Sequence, residues 1–187
     1  MKPDDNPLIE VTAVVEDAVL DVRYATARNF LGQPVYPQAE VFLKRSTALK
    51  LEEAAKRLRK GGYRLVVFDG YRPLSVQKKM WSIKPDRRFV ADPAKGSHHN
   101  RGGAVDVGLA DLEGGPVEMP SDFDEFGPRA SGLGASPAAV KNLLRLRAAM
   151  EGAGFKALQE EWWHFHDPEC RSWPLLDLDF EQIPRSR

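Results

Sequence analysis

Short strand-like segments and amphipathic helices are interspersed along this chain without the regular alternation that a parallel βαβ sheet requires. The β-branched segment 8–22 predicts one or two strands, and the segments 64–68, 103–110 and 161–167 predict three more. This order favours an α+β fold with a mostly antiparallel central sheet and flanking helices. We predict one domain over residues 1–187, since that length is ordinary for a single hydrophobic core.

Three segments are predicted to be helices, from the spacing of apolar residues or from signals at the helix ends. Residues 47–60 carry apolar side chains at helical intervals and end at a pair of glycines. A second helix is predicted from Pro73, a favourable first helical position, to about Ile83. Ser136 followed by proline predicts an N-cap and a third helix over 137–151.

Long segments rich in glycine, proline and polar residues separate these elements. Residues 24–46, 84–102 and 111–135 are predicted to be loops, and the tail beyond Pro168 has no strong pattern. Binding and catalytic residues are often carried by loops on a rigid scaffold. The functional residues are therefore expected where these loops meet the sheet.

Composition gives no support for nucleic-acid binding, membrane insertion or a disulfide-stabilised fold. The chain has 27 basic and 27 acidic residues, so its net charge gives no argument for binding nucleic acid or an anionic membrane. No apolar run approaches the roughly 20 residues of a membrane span, and no apolar leader follows Met1, so we expect a cytoplasmic protein. The single cysteine, Cys170, allows no internal disulfide and is predicted to be a packed or surface thiol.

The four histidines fall in two clusters that also contain acids. The residues concerned are His98, His99 and Asp106 in the first cluster, and Glu161, His164 and His166 in the second. A catalytic zinc site needs three protein ligands and one open position, and two histidines with one carboxylate meet that count. Asp106 also alternates with valines in a predicted strand, where an unpaired buried acid is unfavourable. The alternatives are a solvated loop histidine for His99 and a packed, hydrogen-bonded one for His164.

Four motifs, in the expected order, resemble those of the zinc D-Ala-D-Ala peptidases. Residues 97–106 resemble the family signature S-x-H-x-x-G-x-A-x-D, and residues 161–164 (E-W-W-H) resemble its second signature. Residues 69–73 (D-G-Y-R-P) resemble the segment that carries the essential arginine of the family. Residues 21–30 are similar to the N-terminal stretch of the vancomycin-resistance dipeptidase branch.

The resemblance implies a role for each matching residue. His99, Asp106 and His164 would be the ligands of one zinc ion, Glu161 the general base and Arg72 the residue that polarises the scissile carbonyl. Glu161 and His164 are three positions apart, so a regular strand would place them on opposite faces. We therefore expect Glu161 in a turn or bulge at the start of the last strand.

Substrate recognition is also implied by the resemblance. Tyr24 and Asp124 look like the pair that binds the free amine of a dipeptide, and Ser97 is a candidate partner for either end of the substrate. His98 and His166 match no ligand position and are interpreted as non-ligands. The expected partner is a small dipeptide.

The predicted function is zinc-dependent hydrolysis of D-alanyl-D-alanine and similar small D,D-dipeptides. One alternative is a zinc D,D-carboxypeptidase or L-Ala-D-Glu endopeptidase that acts on peptidoglycan peptides. An alternative of another class is a non-catalytic zinc-binding interaction module, which would need neither Glu161 nor Arg72. The sequence leaves the oligomeric state open.

Overall fold

The computed structural model describes residues 5–185. Its helices are α1 (Arg45–Lys60), α2 (Leu74–Ile83) and α3 (Pro137–Gly152). Its strands are β1 (Leu8–Glu10), β2 (Val19–Leu20), β3 (Phe42–Lys44), β4 (Tyr63–Asp69), β5 (Ala104–Asp111), β6 (Lys156–Ala157) and β7 (His164–His166).

A five-stranded sheet in the order β2-β4-β5-β7-β6 forms the centre of the fold. Its β2–β4 pair is parallel, and the other three neighbouring pairs are antiparallel. β4 and β5 are the longest strands, and nearly every residue of β5 is buried. The predicted α+β fold with a mostly antiparallel sheet is confirmed.

The helices cover the sheet through their apolar faces. α1 packs against α3 and β4, and its Leu51 and Leu58 are buried. α3 begins as predicted, because the Ser136 hydroxyl accepts a hydrogen bond from the backbone N–H of Ala139. Pro73 lies immediately before α2 and not at its first helical position.

The prediction of a loop over residues 24–46 is wrong for its last five residues. Residues 42–44 form β3, which pairs antiparallel with β1 in a separate two-stranded sheet. α1 then begins at Arg45, two residues before the predicted start. A three-residue strand is too short to show periodicity, and its partner lies more than thirty residues away in the chain.

The predicted strand 161–167 is also shorter in the structure. Only His164–His166 form β7, because Trp162 and Trp163 lie in a turn. The short strand β6 pairs with β7 and was not predicted. Hydrogen bonds from β6 and β5 therefore hold both sides of β7.

The tail beyond Pro168 contributes to the core despite its weak pattern. Phe180 and Ile183 are buried. Cys170 is a buried free thiol, which is the packed one of the two predicted states. Within residues 5–185, no helix combines the length and the apolar character needed to cross a membrane.

Candidate metal centre and cavity

Three neighbouring strands bring three polar residues into one row. Asp106 of β5 is in register with Asp69 of β4 on one side and with His164 of β7 on the other. A bulge in β4 just before Asp69 adjusts this register. Side chains opposite each other on adjacent strands point to the same face of the sheet, so the row forms one polar surface.

His99 reaches this row from a 3-10 turn that precedes β5. The turn ends at Gly102, whose φ of 71° lies in the left-handed region that glycine favours. The ring Nδ1 of His99 lies 2.7 Å from the carbonyl oxygen of Gly70. Because a carbonyl can only accept, Nδ1 carries the proton and Nε2 presents its lone pair.

The three predicted ligands lie at separations that suit a metal ion. His99 Nε2 is 3.2 Å from His164 Nδ1, and Asp106 Oδ1 lies 3.0 Å from His164 Nδ1 and 3.5 Å from His99 Nε2. A tetrahedral zinc ion with bonds of about 2.0–2.1 Å requires ligand atoms ~3.3 Å apart. His99, Asp106 and His164 therefore form a group that can hold a metal ion.

Asp106 is in the ionised form that metal coordination requires. Burial opposes its ionisation, but the imidazoles of His99 and His164 outweigh that effect and lower the pKa of the Asp106 carboxyl. The carboxylate is 3% exposed, so solvent screens these interactions little.

Arg72 is held in a fixed orientation beside the metal group. Its guanidinium donates to Asp69 Oδ2 at 2.6 Å and to Gln77 Oε1 at 2.8 Å, and all three side chains are buried. Within residues 5–185, its Nε is buried and has no hydrogen-bond partner. One face of the guanidinium also lies 5.3 Å from the ring of Tyr24. The two hydrogen bonds use two of the five N–H groups of Arg72, and the N–H at Nε is among those that they leave.

Tyr24 and Asp124 form a direct hydrogen bond across two loops. The Tyr24 hydroxyl donates to Asp124 Oδ2 at 2.5 Å. Asp124 is the non-glycine residue with positive φ, 60°, in the described part of the chain. Burial raises the pKa of the Asp124 carboxyl well above its usual range. A backbone in the left-handed region and a carboxyl with a raised pKa are features found at binding sites.

Glu161 lies in the turn that precedes β7. The backbone N–H of His164 donates to the carbonyl of Glu161 at 3.1 Å, which closes this turn. Because the turn interrupts the strand, both side chains face the same cavity. Burial raises the pKa of the Glu161 carboxyl, so this group holds a proton more readily than an exposed acid.

A cavity of about 480 Å³ lies over the polar row. All eight residues singled out from the sequence line it: Tyr24, Arg72, Ser97, His99, Asp106, Asp124, Glu161 and His164. Phe89, Phe126 and Trp163 supply an apolar part of its wall. This volume lies within the range of small-molecule binding sites.

Comparison with known proteins identifies the family. The D-ala-D-ala dipeptidase family matches residues 4–182. The chain belongs to this family. A relative named D-alanyl-D-alanine dipeptidase from Escherichia coli (strain K12) is 36% identical over 179 residues, which cover 95% of this chain and 93% of the relative.

Two further relatives of the same name agree with this assignment to the dipeptidase family. The protein from Enterococcus faecalis (strain ATCC 700802 / V583) is 32% identical over 168 residues, which cover 78% of this chain and 83% of the relative. The protein from Enterococcus faecium is 32% identical over 177 residues, which cover 81% of this chain and 87% of the relative. The family resemblance inferred from the motifs is confirmed.

The sequence did not predict a buried residue behind the cavity wall, Asn100, or two cations in the cavity lining of this family member. Asn100 is buried, accepts hydrogen bonds from the backbone and hydroxyl of Ser97, and donates to the backbone carbonyl of Arg72. It therefore ties the loop of one motif to the arginine of another. Lys95 and Arg171 add positive charge to the cavity lining. Asn100 lies inside the first signature, but its role depends on contacts that sequence spacing does not reveal.

Proposed function

We propose that this protein hydrolyses D-alanyl-D-alanine and similar small D,D-dipeptides to free amino acids, with one zinc ion bound by His99, Asp106 and His164. The observation that carries the proposal is the meeting of all eight residues in one cavity of about 480 Å³, with the three ligand atoms 3.0–3.5 Å apart. When bound, zinc polarises the scissile carbonyl and lowers the pKa of water toward about 7.

Glu161 is the proposed general base and acid. Its half-buried carboxyl faces the same cavity as the ligands, and burial raises its pKa toward the range that proton transfer near neutral pH requires. A carboxylate oxygen of Glu161 takes the proton of the attacking water. The same oxygen then delivers that proton to the nitrogen of the departing amine.

Arg72 is the proposed partner of the oxyanion that develops when the carbonyl is attacked. The ion pair with Asp69 and the hydrogen bond to Gln77 fix its orientation before substrate binds. These two bonds use two of its five N–H groups, so the guanidinium, which lines the cavity, has further donors for the substrate. A donor held in place in a buried site stabilises developing charge without reorganisation.

Tyr24 and Asp124 are the proposed partners of the substrate ammonium. Asp124 is half-buried and its hydrogen-bond partner, the Tyr24 hydroxyl, is neutral, so a bound ammonium would add an opposite charge in direct contact with the carboxylate. Ser97 remains a candidate for either substrate end, because its hydroxyl exchanges hydrogen bonds with Asn100 at the cavity wall. The cations Lys95 and Arg171 in the lining favour an anionic group such as the substrate carboxylate.

The proposal is tested by measuring D-alanine release from D-alanyl-D-alanine by the purified protein. We expect turnover that a strong chelator abolishes and that added zinc restores. Absence of turnover in protein with a full complement of zinc would contradict the proposal. A cytoplasmic location and a single functional domain over residues 1–187 stay predictions from the sequence.

A further inference from the structure

Two histidines beside the metal group have no part in the proposed reaction. His98 is half-buried and comes just before the turn that carries His99. His166 is the last residue of β7 and is 8% exposed. It lies two positions after His164, so the two imidazoles extend from the same face of the strand.

The rings of His98 and His166 are in direct contact. Their centroids are 4.3 Å apart, with planes inclined by 30°. One ring nitrogen each of His98, His164 and His166 lies within 4.8 Å of the others. Two ligands of one zinc ion lie ~3.3 Å apart, so the half-buried His98 would have to rotate toward His166 to share an ion with it.

His166 also has an unsatisfied polar atom. Its Nδ1 is buried and has no hydrogen-bond partner within residues 5–185. Buried imidazole nitrogens are normally paired, because an unpaired one has lost its hydrogen bonds to water. Ring packing against His98 leaves this nitrogen unsatisfied, whereas coordination of a cation would satisfy it.

We propose that His98 and His166 form a second metal site, which binds a divalent transition-metal ion such as zinc next to the first site. His164 separates the two sites, because its Nδ1 faces His99 and Asp106. The second site has two protein ligands, with water completing the coordination, so it is weaker than the three-ligand site. The positive charge of Arg171 acts on both imidazoles and weakens cation binding further.

The test measures how many zinc ions each chain binds when metal-free protein is dialysed against increasing concentrations of zinc alone. The wild type should take up one tight and one weak equivalent. His98→Ala and His166→Phe should each lose the weak equivalent and keep the tight one. His99→Ala should show the reverse, losing the tight equivalent and keeping the weak one.

The controls separate loss of a ligand from loss of the fold. His98 is half-buried, and phenylalanine keeps a ring at position 166, so circular dichroism should show native thermal unfolding for both variants. Arg171→Gln should tighten the weak equivalent, because it removes the opposing charge. Uptake of only one equivalent by the wild type would overturn the proposal. So would a weak equivalent that is unchanged in His98→Ala and His166→Phe.

One consequence rests on the proposed function. His98 lines the same cavity as Glu161, so a second ion would occupy space beside the base. Zinc above one equivalent should then inhibit dipeptide hydrolysis in the wild type and not in His98→Ala. The number of bound zinc ions can be measured in an inactive protein. The binding experiment therefore tests the second metal site independently of the proposed dipeptidase activity.

Discussion

The guanidinium of Arg72 lies 2.6 Å from Asp69 Oδ2, and the two side chains form an ion pair that is shielded from water. The other oxygen of Asp69 accepts hydrogen bonds from the Tyr36 hydroxyl and the Gly70 backbone. Asp69 is therefore fixed from two sides and in turn fixes Arg72. Since Asp69 is also in register with Asp106, the arginine is positioned by the same strand ladder as the metal group.

Replacing Arg72 with lysine should lower kcat by roughly 10²–10³-fold, because the variant loses a fixed donor to the developing oxyanion. KM should change far less, and zinc content should stay the same. Steady-state kinetics with D-alanyl-D-alanine provide the measurement. Arg88→Lys is the matched control, since Arg88 is exposed and pairs with Asp86 at the surface. A change confined to KM would assign Arg72 to substrate binding alone.

Substituting the proposed zinc ligands should remove the metal. His99→Ala and His164→Ala should lose the tightly bound zinc, whereas His98→Ala should retain about one zinc per chain as purified. Elemental analysis after gel filtration measures this directly. Full zinc occupancy in His99→Ala would refute the ligand assignment.

Glu161→Gln should keep zinc but lose catalytic rate. The amide preserves the shape of the side chain but cannot accept the proton, so kcat should fall by a factor of roughly 10²–10⁴. Metal analysis and kinetics on the same preparation separate the two properties. Glu160→Gln is the control, because this neighbouring acid is exposed and does not line the cavity. Loss of zinc with unchanged turnover per bound zinc would make Glu161 a ligand and not the base.

Asp124 should determine the preference for a free amino terminus. A site built to pair an ammonium rejects analogues that lack it, so N-acetylated dipeptides should be cut more slowly by a factor on the order of 10² or more. Asp124→Asn should slow free dipeptides and leave the blocked ones nearly unchanged. The exposed Asp122 provides the control variant Asp122→Asn. Equal wild-type rates on free and blocked substrates would instead favour the carboxypeptidase alternative.

Gly103→Ala should destabilise the fold. A Cβ at this position would overlap with the Cβ of Cys170, which is buried in the core. Such overpacking typically costs about 1–3 kcal/mol, which lowers Tm by roughly 2–4 °C per kcal/mol in a chain of this size. Gly152→Ala is the control, because its Cβ would meet the movable guanidinium of Arg57. Calorimetry that gave equal Tm values for the two variants would contradict the prediction.

The sequence was most informative where local signals are strong. The helical periodicity of 47–60 and the Ser136 cap predicted α1 and α3 to within about two residues. The apolar segment 64–68 likewise predicted most of β4. The eight site residues were predicted from the resemblance of the motifs to those of the family. Their positions along the sequence could not reveal the cavity that they share.

The sequence failed where structure depends on distant partners. β3 is defined by its pairing with β1, and β6 by its pairing with β7, and each has only two or three residues. The role of Asn100 depends on its contact with Arg72, which lies 28 residues earlier. Such contacts leave no periodic pattern in the chain, so only the folded structure reveals them.

The row formed by Asp69, Asp106 and His164 links metal loading to correct strand pairing. A slip of one residue between β5 and β7 would turn either Asp106 or His164 to the opposite face, because side chains alternate along a strand. A misregistered chain would then present no complete ligand set. Only molecules with the native register could take up the ion, and a ligand that binds the native state alone favours that state by mass action. Metal content would thus report the fraction of correctly paired molecules in a refolding experiment.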